Sequence, residues 1–509
     1  MTVLTNVRDK ILNIFKCTFS VKELLHIFPC VKQQHGKDIS HGRFNHLVLF
    51  TSGLIMLNVS MESVGMSYVL TSAQCELELS EQHKGMINAA AFIGNYTLLY
   101  SRLHILAVML PAMLASAVFS VASAFASDVW NCGHCFVSAS SATVYAYLGE
   151  MHANSRRAAA IAWGSVFISF SFIILPGLAW VIIPGKWSFH LLSIRISSWR
   201  AFMWSWCVPG LAAAGILSLL PESPRFILAS KGPEAALPVL AKMYSWNHGT
   251  GADNYPVEKI TTIGDAEAFK GGFAGALKNF THIFRPPLLR CVFISHISMF
   301  AVFMLASGLY VWVPEVINNI LQNDSERSIS ICEIITQKAL NKTVSNSVCN
   351  PNISVGVFPI SMAMGAVFAI TYLAIGVFIN KVGKKALYNG IMFICGLATI
   401  AAAYVPQGGA ATGLLILALC AGCAASILAA IAVDVFPTSL RAMAMCVMYM
   451  VGRLGAAVGA YLLGATLHTH CELAFTAMGA FSAGSTLLML FWPNPQAVRD
   501  EMEEKGLSY

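Results

Sequence analysis

The sequence predicts an all-α membrane protein of twelve crossing helices in two six-helix, pseudo-symmetric halves, and three observations carry that prediction. Of the 509 residues, 56% are hydrophobic and only 11% charged, and the mean hydropathy is +0.65, far too apolar for a soluble chain of this length. A hydrocarbon core takes roughly 20 apolar residues per helical crossing. The chain offers twelve such stretches, near 45–70, 84–101, 104–126, 129–149, 158–183, 200–220, 289–313, 356–380, 386–405, 410–433, 442–466 and 472–492. The third observation is an acid-to-arginine pattern that recurs after the fourth and tenth stretches, where a repeat of six would place it.

Residues 1–43 mix polar and apolar side chains and carry seven Lys or Arg, so they read as a cytoplasmic segment and not as a secretory leader. The first bundle is expected over 44–220. The segments lack the ten-residue alternation of barrel strands, and lipid tolerates no unpaired backbone, so they are helices. Residues 221–288 read as a cytoplasmic linker of short amphipathic helices such as "PEAALPVLAKMY", too poor in apolar residues for a core of its own. The second bundle is expected over 289–492, with a long loop at 314–355, and a cytoplasmic tail over 493–509.

Basic residues set the orientation. With a cytoplasmic N-terminus, 24 of the 32 Lys and Arg fall on the cytoplasmic side, 7 on the other, and Arg453 lies within a helix. Both termini are therefore expected in the cytoplasm, in a plasma or vesicle membrane, and Lys381, Lys384 and Lys385 of "GVFINKVGKKALYNG" face it too. The net charge of +7 then reflects topology and gives no reason to invoke nucleic acid. Asn323, Asn341 and Asn352 head Asn-x-Ser/Thr sites in the 314–355 loop and predict glycosylation there. Cys332 and Cys349 share that loop, and a disulfide between them is expected in an oxidising compartment.

After the fourth crossing comes "YLGEMHANSRRAAAIAWG", and after the tenth "AVDVFPTSLRAMAMCVMY". Glu150 and Arg157 are seven residues apart, as are Asp434 and Arg441. A carboxylate closing one helix and a guanidinium opening the next can make charge-assisted hydrogen bonds across a tight turn. In "LLPESPRFILASKG", Pro221 and Pro224 stop the sixth crossing, and Glu222 and Arg225 stand where they can reach that cluster.

These motifs, with "PESPRFIL" and "GVFINKVGKK", resemble the major facilitator superfamily, sugar-porter-like branch. "AWVIIPGKWSF", "SSWRAF" and "GLYVWVPE" resemble its synaptic vesicle glycoprotein 2-like and organic-ion-transporter-like members. The resemblance runs from about 40 to 495 and implies two bundles rocking about a central site, with a cytoplasmic charge gate of Glu150, Arg157, Glu222, Arg225, Asp434, Arg441, Lys384 and Lys385. The family's acid and paired arginines between the second and third crossings have no counterpart here, where Arg102 and His104 stand alone. Asn380 stands where the family prefers Asp.

An ionised side chain at a helix centre costs roughly 2.5–3.5 kcal/mol on insertion scales, so intramembrane charge marks candidate sites. Glu62 in "NVSMESVGMS" is a candidate for a coupling proton or a substrate cation, or else a carboxyl reaching interfacial water. Arg453 in "MVGRLGAAVGA" is a candidate for an anionic group. Trp163 and Tyr310 are candidates for the aromatic wall of a central pocket, while Trp312, Trp180 and Trp187 read as interfacial anchors. His296 reads as packing, as do Cys420 and Cys423. "CGHC" at 132–135 lies in a membrane segment without the βαβ setting of a redox site. Gly455, Gly459 and Gly464 read as points of close helix approach.

Nothing in the chain forms a phosphate loop, metal quartet or nucleophile constellation, so neither an enzyme, a metal nor a cofactor is expected. The leading expectation is a secondary transporter of a small organic solute, an organic ion or a sugar-like molecule, with a coupling proton or ion as possible co-substrate. The runner-up is a vesicle-membrane glycoprotein that binds partners without transporting, or a defective paralogue lacking the motif between the second and third crossings.

Overall fold

The computed structural model describes residues 42–93, 105–125, 141–152, 154–185, 188–191, 194–257, 284, 286–322, 329–344, 353–436 and 438–504. The first half contains α1 (Arg43–Ala73), α2 (Glu81–Ile93), α3 (Ile105–Ser123), α4 (Ser141–Glu150) and α5 (Asn154–Ile182). A short antiparallel hairpin follows, β1 (Ser188–Leu191) with β2 (Ile194–Ser197), and Ser188 pairs with Ser197. It departs from an all-α chain, and its β-branched and aromatic residues, such as Phe189 opposite Ile196, suit a strand pair. The sixth crossing is α6 (Ser198–Ser205) and α7 (Cys207–Leu217), interrupted at Trp206. Trp206 is fully buried, and its ring fills the space that the absent side chain of Gly65 leaves on α1.

The linker supplies α8 (Pro224–Lys231) and α9 (Pro233–His248), the latter closed by Gly249 in the left-handed conformation, φ 70°. Helix α9 docks on the start of α1. Phe44 meets Trp246 edge-on with ring centroids 5.8 Å apart, and Met243 is buried. The Phe44 amide donates to Asn247 Oδ1 (3.0 Å), Asn247 Nδ2 donates to Asn45 Oδ1 (2.9 Å), and Asn45 Nδ2 donates to the Met151 carbonyl (3.0 Å). One asparagine pair thus ties the linker to α1 and to the turn between α4 and α5.

The second half contains α10 (Leu288–Tyr310), α11 (Val313–Leu321), α12 (Ile331–Val344), α13 (Val357–Val382) and α14 (Lys384–Tyr404). It continues with α15 (Gly408–Leu419) and α16 (Ala424–Val435), joined by a 3₁₀ turn over Cys420–Cys423, then α17 (Thr438–Thr466) and α18 (Cys471–Leu490). Cys420 and Cys423 are buried in that turn, as packing thiols. The tail helix α19 (Pro495–Glu504) buries Val498 and Met502. Among the described residues, seven helices are long and apolar enough to cross a membrane: α1, α10, α13, α14, α15 with α16, α17 and α18. Residues 94–104, where the family's motif between the second and third crossings has no counterpart, and 126–140, which include "CGHC", lie outside the described residues.

Small residues set the closest approaches. A Cβ on Gly459 of α17 would stand 3.2 Å from Gly308 Cα of α10, and Gly455 abuts the Phe300 carbonyl. Gly464 meets Gly85 of α2, where an added Cβ would lie 3.1 Å from its Cα. All three glycines singled out in the sequence therefore seat α17, two on α10 and one on the opposite half. Gly396 and Gly479 do the same for α14 and α18.

The expected bond between Cys332 and Cys349 is corrected. Cys332 is bonded to Cys471 at the start of α18, with Cα atoms 5.5 Å apart. The cause is packing: α12 lays Cys332, Ile331 and Ile335 into the core instead of standing clear as a free loop. Cys349 lies outside the described residues, and Cys75, between α1 and α2, is also disulfide-bonded. Of the glycosylation positions, Asn341 falls within α12, while Asn323 and Asn352 lie outside the described residues.

Trp312 is likewise no interfacial anchor. It is buried at the turn between α10 and α11, and its indole Nε1 donates to the Ala460 carbonyl of α17 at 2.9 Å.

Candidate functional site

Among the described residues the bundle has two ends, a loop face carrying 74–80, 183–185, 188–191, 194–197, 311–322, 329–344 and 353–356, and a linker face carrying 151–152, 218–257 and 383. Helices of both halves converge toward the loop face. Tyr68, five residues before the end of α1, stacks on Phe358, the second residue of α13, with centroids 6.4 Å apart and planes at 20°. Phe172 of α5 meets Tyr310 of α10 edge-on at 4.9 Å and Phe368 of α13 at 5.2 Å. Such pairs contribute about 0.5–1.5 kcal/mol each beyond their buried area. The Tyr68 and Tyr310 hydroxyls are enclosed in this layer beside each other, with Ser361 next to Tyr68, and neither makes a hydrogen bond of ordinary geometry among the described residues.

Nearer the loop face, Lys84 of α2 makes an ion pair with Glu315 of α11. Nζ and Oε1 are 2.7 Å apart, and the side chains are 1% and 12% exposed. Lys84 Nζ also donates to Gln74 Oε1 at 3.1 Å. Neither Lys84 nor Glu315 was singled out from the sequence as a site residue. The available signal was one isolated charge of each sign at the loop-face end of the second and seventh crossings.

A second cluster closes the first half at the same face. Arg200 of α6 pairs with Glu76 (2.8 Å), donates to the Ala124 carbonyl (2.5 Å) and lies 4.4 Å over the Trp199 ring. Trp199 Nε1 (2.7 Å) and Ser197 Oγ (3.0 Å) donate to the same Glu76 carboxylate. Burial acts to raise the pKa of Glu76, but the Arg200 and Trp199 hydrogen bonds and the guanidinium charge outweigh it and hold the carboxyl below its ordinary value. The "SSWRAF" motif is thus the structural clasp of helices α1, α3 and α6.

The four residues expected to line a path are dispersed. Only Tyr310 lies in the layer between the halves. Glu62 is buried inside the first half, where its Oε1 accepts from Asn58 Nδ2 (2.6 Å) and from Ser116 Oγ of α3 (2.7 Å). On α1 it points away from Tyr68 because six residues turn a helix by about 600°. It therefore neither reaches interfacial water nor faces the second half. Trp163 is 47% exposed and shares an outward stripe with Phe170, Ile174 and Val181. The central aromatic of α5 is Phe172, nine residues on and half a turn away. Arg453 of α17 lies 6.0 Å from the Phe303 ring of α10. It stands seven and eleven residues before Ala460 and Gly464, on the stripe of α17 that meets Gly85 of α2 further along the helix.

At the linker face, Lys384 Nζ pairs with Asp434 Oδ2 at 2.7 Å, and Lys385 Nζ donates to the Trp492 carbonyl at 3.1 Å. Glu150 accepts from Ser223 Oγ, so Ser223 of "PESPR" reaches the end of α4. Glu222 accepts the Ser223 amide at 3.0 Å, and Tyr147 donates to the Pro221 carbonyl at 3.1 Å. A carboxylate at a helix end attracts any short donor on the stop that follows, and seryl hydroxyls carry no charge to advertise them. The side chains of Arg157, Arg225 and Arg441 lie outside the described residues. His296 is buried and bonded to the Val292 carbonyl (2.7 Å), as a packing residue.

Two helical halves, closed upon each other at one face and carrying charged turns at the other, define a membrane protein of the two-bundle transporter class. The chain belongs to the major facilitator superfamily: the superfamily's model matches residues 350–506, and that of the sugar (and other) transporters matches 63–314. Human synaptic vesicle glycoprotein 2A is 25% identical over 349 residues, covering 61% of this chain and 47% of that protein. Human synaptic vesicle glycoprotein 2B is 22% identical over 364 residues, covering 64% and 53%. The chain thus spans about half the length of the curated relatives it matches. Among solved structures, the inward-open xylose transporter XylE from E. coli superposes with a TM-score of 0.59 at 14% identity, over 90% of this chain and 99% of that one. A bacterial homolog of the human lysosomal transporter Spinster, inward-facing and unoccupied, gives 0.58 at 13% identity, over 91% and 99%. At these identities the likeness is one of fold.

Proposed function

We propose that the protein moves a small organic solute across the membrane by alternating access and that the structure represents the state closed at the loop face. The observation that carries this reading is the buried Lys84–Glu315 pair above the Tyr68–Phe358 and Phe172–Tyr310 contacts, because all of them join one half to the other and must part for the opposite state. Tyr68, Tyr310 and Phe172 form the roof of the solute path, where the buried and adjacent Tyr68 and Tyr310 hydroxyls come free for a polar solute when the halves part, and Arg453 borders the space between the halves. The solute is an organic ion or a sugar-like molecule; one solved relative is described as a D-xylose–proton symporter. Glu62 is the proton-carrying candidate, acting through movement of α1 against α3, since it does not face the solute path. The linker face is the cytoplasmic one, on the bias of Lys and Arg, and Lys384–Asp434 with Ser223–Glu150 belongs to its gate.

Uptake into proteoliposomes across a panel of organic cations, anions and sugars tests the proposal. Flux that is lost in Glu315→Gln and in Tyr310→Phe supports it. A second reading is a glycoprotein of vesicle membranes that binds partners without transporting; the curated relatives are named synaptic vesicle glycoproteins. Absence of flux for every member of the panel, from correctly folded protein, would decide for it.

A further inference from the structure

One turn of α2 beyond Lys84, toward the middle of the bundle, stands Asn88. Residues four apart share a helix face, and the neighbours fix which face this is. Lys84 reaches Glu315 of the second half, and a Cβ on Gly85 would lie 3.1 Å from Gly464 Cα of α17. Met86, turned about 200° from both Lys84 and Asn88, is 41% exposed. Asn88 therefore points into the seam between the halves. It is 2% exposed, and its Oδ1 is buried without a hydrogen-bond partner among the described residues.

A buried acceptor left unpaired forfeits the hydrogen bond that water would give it, which destabilises whichever state encloses it. Ser482 Oγ of α18 is also buried and unpaired among the described residues. Helix α18 packs on α10, α14 and α17 of its own half, so that loss is the same whether the halves are together or apart. Asn88 is enclosed by the other half, and its amide regains water once the loop face opens. Two neighbours on one helix face thus act on one equilibrium in opposite senses: Lys84, paired with Glu315, holds the loop face closed, and Asn88 favours its opening. A carrier has to populate both states, so a pair that nothing opposed would bias the gate shut. We propose that Asn88 sets the balance between the two states by destabilising the closed loop face. The role rests on the alternating-access reading of the fold.

Amide hydrogen exchange of the full-length chain, followed by mass spectrometry with no solute present, reads the two faces separately. Residues 74–86 and 353–358 report the loop face, and 218–232 and 383–390 the linker face. Asn88→Leu removes the unpaired oxygen and keeps a side chain of similar shape. It should slow exchange about tenfold at the loop face, the effect of one unpaired buried acceptor, and speed it at the linker face. Asn88→Val, with less bulk, should shift both faces in the same directions. Ser482→Ala should raise the melting temperature and leave the ratio of the two faces unchanged. Unchanged circular dichroism and elution volume show that the variants are folded. Exchange in Asn88→Leu that is unchanged at both faces, or slowed at both as a merely stabilising substitution would slow it, overturns the role of Asn88. Because the assay uses no solute, opposite shifts in a protein that carries no member of the uptake panel would keep Asn88 and remove transport. Flux without such shifts would keep transport and remove Asn88.

Discussion

Lys84 and Glu315, 231 residues apart in the chain, meet at 2.7 Å in a nearly water-free seam between the two halves. Removing one member of such a pair strands the other, at a cost of about 3–5 kcal/mol. In Lys84→Met the stranded Glu315 should drive the loop face open, and a cysteine placed at Phe358 should label faster with a membrane-impermeant thiol reagent. Joint replacement by Lys84→Met and Glu315→Leu should restore much of the closure, because no buried charge is then left alone. Slow labelling in both variants would place the closure elsewhere.

Glu62 holds two donors on one carboxylate oxygen. Glu62→Gln preserves an acceptor for Asn58 and Ser116 and should fold normally, while Glu62→Ala leaves both donors unpaired and should cost about 1–3 kcal/mol. If Glu62 carries the coupling proton, the glutamine variant should exchange solute across the membrane but lose uptake driven by a pH gradient. Gradient-driven uptake at the wild-type rate would remove Glu62 from the coupling step.

The clasp around Glu76 predicts a pH dependence of stability with a definite sign. Its folded pKa is depressed below the ordinary value of 4.5, so the stabilisation is fully present above that value and is lost as the pH falls through the folded pKa. The melting temperature in detergent should therefore drop below about pH 4.5. Glu76→Gln should lower it at neutral pH and flatten that acid limb. The partial exposure of Glu76 keeps the effect small.

Close approach at Gly308 and Gly459 leaves no room for a side chain. Gly459→Val should destabilise by about 1–3 kcal/mol through overpacking and reduce the yield of folded protein. Gly413→Val, where an added Cβ meets nothing within 4 Å, should not. Equal yields would mean that α10 and α17 are less tightly seated.

The covalent link between Cys332 and Cys471 closes a stretch of 139 residues. Peptide mapping without reductant should recover those two cysteines together and should do so in Cys349→Ser as well. Cys471→Ser should release α12 from α18, with a loss of about 2–4 kcal/mol. Recovery of Cys332 joined to Cys349 would place the bond within the 314–355 segment and leave α12 unlinked to α18.

Much of the helical architecture was legible in the chain because lipid leaves a backbone few choices: runs of about 20 apolar residues must be helices. The boundaries of α1, α13, α14 and α18 follow from composition, and the glycines of α17 foretold tight packing because a missing Cβ has one structural use there. The lysines at 384–385 were legible as the end of a crossing because isolated charge in an apolar chain has to lie at an interface. What the residues alone left open was direction. A helix turns 100° per residue, so Glu62, Trp163 and Arg453 each had a full circle of possible neighbours, and the segments packed around them decided which they met. Only the tertiary structure turned Glu62 toward Ser116, sent Trp163 outward and put Phe172 at the centre. It also joined Lys84 to Glu315 and Cys332 to Cys471, pairings between distant segments that no local spacing encodes.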